Sequence, residues 1–143
     1  MSYDLMVFAP EAAPTDNKTF LAWYKELVKW GEGHSYDNPE VSTPALRAWF
    51  LEMIQTYPAM NGPYAADDLD EDEDDASGTD YSIGRSAIYA CFAWSKADSG
   101  YEAMFKLAAK HGIGFFNVSS SEAEVWLPDG KGGLTLAHSK SSV

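Results

Sequence analysis

A single cysteine, Cys91, stands in 143 residues, so no intrachain disulfide can form and the fold must hold without a covalent staple. Basic side chains are also scarce: ten Lys and Arg against 22 Asp and Glu give a formal net charge of −12. That balance repels nucleic-acid phosphates and anionic lipid, so neither nucleic acid nor membrane is expected as a partner. No apolar run is long enough to span a bilayer, and the opening Met1-Ser2-Tyr3-Asp4 lacks the basic stretch of a secretory signal. These absences together point to a cytoplasmic protein.

Recognisable catalytic and metal-binding patterns are missing too. His34, His111 and His138 have no histidine or cysteine partner at ligand spacing, which argues against zinc. There is no Gly-x-Ser-x-Gly elbow, and Gly130-Lys131-Gly132-Gly133 lacks both the earlier glycine and the following Ser or Thr of a phosphate loop. Cys91 sits in the most apolar stretch of the chain and reads as a small core hydrophobe. No cofactor, metal or catalytic residue is expected.

What is present is apolar mass: 45% hydrophobic and 14% aromatic residues, with five tryptophans spread along the chain, enough for one core and too much for disorder. Residues 3–8 form an apolar run stopped by Pro10, the pattern of a buried central strand. Phe20, Trp23, Tyr24, Leu27 and Val28 recur at helical spacing before Gly31 and Gly33. A second helix starts at Thr43-Pro44 and carries Leu46, Trp49, Phe50, Met53 and Ile54 on one face, ahead of Pro58. Residues 81–84 and 87–94 read as a hairpin. A third helix is expected to open with a capping-box variant at Ser95 and Asp98 and to close at His111-Gly112. Residues 113–118 and 124–127 read as a last hairpin.

The order β-α-α-β-β-α-β-β implies a single α+β domain, a largely antiparallel sheet with helices packed on one face. Residues 1–128 form that domain with a mobile acidic loop at 65–78. Residues 129–143 read as a turn and a flexible C-terminal tail holding His138.

The acidic loop concentrates charge: Asp67, Asp68, Asp70, Glu71, Asp72, Glu73, Asp74 and Asp75 leave the rest of the chain with 14 acidic against ten basic residues. Asp70, Asp72 and Asp74 alternate as in a calcium loop, yet the sixth position is Asp75 where glycine is needed and the twelfth is Tyr81 where a bidentate Glu is needed. The run fits instead either a solvated loop or a docking surface for a basic protein. A second cluster, Glu32, His34, Tyr36 and Asp37, gathers titratable and aromatic groups in one loop, and Tyr64 lies beside the acidic run. These residues are the candidate partner-binding set, with Tyr36 and Tyr64 as anchors.

The strings Met1-Ser2-Tyr3-Asp4-Leu5-Met6-Val7-Phe8, Met60-Asn61-Gly62-Pro63-Tyr64 and Asp80-Tyr81-Ser82-Ile83-Gly84 before Ile88-Tyr89 resemble small bacterial cytosolic immunity proteins of polymorphic and contact-dependent toxin systems. The resemblance covers residues 1–127. It implies a bacterial source, an α+β fold and a role as the bound inhibitor of a cognate toxin, expected to present a basic surface. The alternatives are a small-molecule or regulatory binding domain and, third, a small enzyme using His34, Asp37 and Asp80.

Overall fold

The computed structural model describes residues 2–29, 31, 33, 36, 38–57, 59 and 79–139, residues 2 and 94 through their backbone alone. Strand β1 (Ser2–Phe8) is the spine. Leu5, Met6, Val7 and Phe8 are all fully buried, because helices cover both faces of the sheet here and an alternating pattern would leave one face polar. β1 pairs antiparallel with β3 (Ala87–Ala93) on one side and β4 (Gly114–Phe116) on the other. β2 (Asp80–Ile83), β5 (Val125–Pro128) and β6 (Leu134–His138) complete a six-stranded sheet in the order β2-β3-β1-β4-β5-β6, every named pair antiparallel. The fold is α+β with helices packed on an antiparallel sheet, as the sequence predicts, but both faces are covered where helices on one face were expected.

Helix α1 (Asn17–Leu27) begins at Asp16, whose carboxylate accepts from the Thr19 amide at 2.9 Å and the Thr19 hydroxyl at 2.8 Å. Helix α2 (Pro44–Met53) begins where the sequence places it. The Thr43 hydroxyl accepts from the Leu46 amide, Pro44 fills the first helical position, and Ser42 Oγ donates to the Gly84 carbonyl at 2.6 Å, tying the helix start to the β2–β3 hairpin. Helix α3 (Ala97–His111) ends on Gly112 at φ 68°, a left-handed cap.

α2 and α3 share one face, over Leu5, Val7, Tyr81, Ile83, Ile88, Ala90, Phe92 and Phe115. α1 adds cover to the opposite face, where Phe20 meets Phe8 and Phe116 edge-on at 5.2 and 5.0 Å. A helical stripe looks alike whichever face it seals, so its position had to come from the sheet.

Three further expectations change. Residues 129–133 turn as expected, with Asp129 accepting from the Lys131 and Gly133 amides, but the chain then pairs back as β6 where a tail was expected. His138, assigned to that tail, is 6% exposed. The start of α3 has no capping box: Trp94–Lys96 is a 3-10 turn, Lys96 caps without a side-chain bond, and Ser99 Oγ donates back to the Lys96 carbonyl. Residues 140–143 lie outside the described residues.

Candidate functional site

The α1 face of the sheet is unevenly covered. Strand register sets Asp80, Cys91 and Asp4 in one row and Ser82, Tyr89, Met6 and Phe116 in the next. α1 presses Phe20 onto the Phe8 and Phe116 end, and among the described residues the β2–β3 end lies under the sides of Tyr24 and Val28. A pocket of about 350 Å³ opens there, lined by Tyr24, Val28, Ser82, Tyr89 and Cys91. A second, of about 420 Å³, lies beside the end of α1 between Trp23, Glu26, Leu27, Lys29, Gly31 and Ser86. Glu26 and Lys29 are ion-paired at 2.9 Å on its rim.

The polar groups of this face are organised. Tyr89 donates to Asp4 Oδ2 at 2.5 Å, and Tyr24 is hydrogen-bonded to Tyr89. Ser119 fixes Asp4 in turn, its hydroxyl accepting from the Asp4 amide at 2.8 Å while its own amide donates to the Asp4 carbonyl. Burial, then the hydrogen bond to Asp4, pushes the Tyr89 phenol far above its ordinary value; burial is also the main cause of the rise at Tyr24. Both phenols therefore stay protonated near neutrality and serve as donors and aromatic faces. Cys91, expected in the core, is half-buried and lines the first pocket, because its strand position faces the part of the sheet that α1 leaves open. Its row neighbours across the strands are Asp4 and Asp80. Neither pocket is lined by a histidine among the described residues, and no group of three His, Cys, Asp or Glu in that set is placed to hold a metal ion. The arrangement is suited to holding a partner group by hydrogen bonds and aromatic contact.

Tyr36, Tyr57, Ala59 and Thr79 meet strand β2 or its flank at this corner. The Ile83 amide donates to the Tyr36 carbonyl at 2.8 Å, which sets Tyr36 at the end of β2. Ala59 and Thr79, both 3% exposed, form a parallel bridge, and the Tyr81 hydroxyl donates to the Tyr57 carbonyl at 2.8 Å. The chain thus leaves at Ala59 and rejoins at Thr79, next to Asp80 and the Asp4–Cys91 row. Of the candidate partner residues Tyr36 is described and half-buried; Glu32, His34, Asp37, Tyr64, Asp67, Asp68, Asp70, Glu71, Asp72, Glu73, Asp74 and Asp75 lie outside the described residues. Sequence reading missed Asp4, Tyr24, Ser82 and Tyr89. Asp4, Ser82 and Tyr89 carried a signal as polar groups within the apolar strands β1, β2 and β3, whereas Tyr24 carried none, since it lies in the apolar stripe of α1. Comparison with protein-family models, with curated proteins and with solved structures gives no match to this chain.

Proposed function

We propose that this chain is an immunity protein: it binds a cognate bacterial toxin with a basic surface and neutralises it by occupancy, without chemistry of its own. The observation that carries this reading is the convergence at β2, where the Tyr36 carbonyl is hydrogen-bonded to Ile83 and the segment containing residues 67–75 has both ends fixed by the Ala59–Thr79 bridge. The charge of residues 67–75 would steer a basic partner, and the half-buried aromatics Trp23, Tyr24 and Tyr89 beside β2 and the end of α1 supply the contact that holds it. Resemblance to toxin-system immunity proteins supports the same role.

The test is co-expression with the toxin encoded by the adjacent gene. Cells carrying the intact chain are expected to grow, and cells carrying Trp23→Ala with Tyr24→Ala to lose protection while the purified variant keeps a cooperative melt. Toxicity unrelieved by the intact chain contradicts the proposal. The two pockets of about 350 and 420 Å³ favour a second reading, a small-molecule binding domain, for which ligand-dependent shifts at Tyr24 and Cys91 in the absence of any protein partner would be the sign.

A further inference from the structure

At the other end of the same sheet face, His138 closes β6 and lies against the first turn of α1. Its ring is 5.4 Å from that of Phe20, edge to face, and its residue is 6% exposed. Asn17 Nδ2 stands 3.1 Å from His138 Nδ1. An amide nitrogen can only donate, so Nδ1 accepts and the neutral ring carries its proton on Nε2. Nε2 is buried with no hydrogen-bond partner among the described residues. With Asn17 Nδ2 in this position a second proton on Nδ1 faces a donor, and Nε2–H still finds no acceptor among the described residues.

The surrounding groups do little to welcome a charge. From α1, Asp16 alone projects a field that favours the protonated ring, and its carboxylate is already engaged by the Thr19 amide and hydroxyl. Asn17 and Phe20 of α1, Phe116 of β4, Val125 of β5 and Ala137 of β6 are uncharged. Burial outweighs Asp16 and holds the imidazole below its ordinary value.

We infer that His138 and Asn17 form an acid-sensitive clasp, which fastens edge strand β6 to the first turn of α1 at neutral pH and releases it on protonation. Because the folded ring binds its proton more weakly than the unfolded one, stability is fully present above the unfolded histidine value and is lost as pH falls from there through the lower folded value. The device stands apart from any partner, so its test needs the protein alone.

The experiment follows the His138 ring by NMR titration and the exchange of the β6 amides between pH 7.5 and 5, in the wild-type chain, in His138→Gln and in Asn17→Asp. In wild type the ring is expected to titrate below the ordinary histidine range, and β6 protection, corrected for intrinsic exchange, to fall at least about fivefold toward pH 5. His138→Gln should show no such local loss. Asn17→Asp puts an acceptor opposite Nδ1 in a helix turn that tolerates Asp, and should raise the ring's value and retain β6 protection in acid. Titration at or above the ordinary value in wild type overturns the clasp, as does an identical acid loss in Asn17→Asp. If His138→Gln fails to fold, wild type and Asn17→Asp still decide the matter.

Discussion

Gly112 and Gly114 lie two residues apart and are required for different reasons. A Cβ at Gly114 would come within 2.3 Å of the Phe8 ring, which sits opposite it in the β1–β4 register and cannot retreat from under α1. Gly114→Ala is therefore expected to cost about 1–3 kcal/mol by overpacking. Gly112 has nothing within 4 Å of such an atom, but its φ of 68° is left-handed, so Gly112→Ala should cost about 1–2 kcal/mol through backbone strain alone. Urea melts separate the two causes: Phe8→Leu in the Gly114→Ala background should recover part of the loss, and the same change should recover nothing for Gly112→Ala. The helix-ending role of Gly112 was readable beside His111. The need for Gly114 was not, because it arises only once β1 and β4 pair and set Phe8 against it. Tyr89 and Asp4 follow the same logic, since the 2.5 Å bond that joins them spans 85 residues of sequence.

Among the elements, α2 and α3 are joined at their ends by Glu52, which accepts from Lys110 Nζ at 2.9 Å and from His111 Nε2 at 3.0 Å. The Lys110 bond, followed by the His111 bond, holds the Glu52 carboxyl below its usual range. A depressed carboxylate contributes stability above its unfolded value and loses it as pH falls through its folded one. Glu52→Gln should therefore melt below wild type at pH 7, with the difference closing through the carboxylate range; a gap unchanged at strongly acid pH would assign the effect to packing. His111 was read from sequence as a helix-terminal residue, and so it is, but its partner on α2 could not be. The stripes of α1 and α2, the Thr43-Pro44 start and the β2–β3 hairpin were legible because each is a local pattern of spacing or capping. β6 was not, because Leu134-Thr135-Leu136-Ala137-His138 follows a glycine-rich turn and carries no clear alternation. Its strand character comes from pairing with β5 and from His138 packing on Phe20. The sheet face taken by α1 was hidden for a similar reason: amphipathicity says that a side is buried and not against what.

For the whole molecule, charge and scaffold are separable. Eight of 22 acidic residues fall within residues 67–75, and the chain on either side is joined by the Ala59–Thr79 bridge. Replacing residues 67–78 by a short Gly/Ser bridge should leave a cooperative melt with Tm within about 4 °C of wild type; loss of the cooperative transition would show that the segment supports the core. The candidate surface was half legible from sequence, since the acidic run and Tyr36 could be named. The gathering of Asp4, Tyr24 and Tyr89 on one sheet face depends on strand order, which no local pattern encodes. The proposed steering of a basic toxin by the acidic residues, with the α1–β2 corner as the holding surface, is decided by association kinetics of the purified pair. Wild type and a variant with all eight carboxylates of residues 67–75 changed to Asn and Gln would be compared across ionic strength. The account predicts association at least about tenfold slower at low salt, a flattened salt dependence and a dissociation rate little changed. Unchanged association together with full growth protection would contradict it.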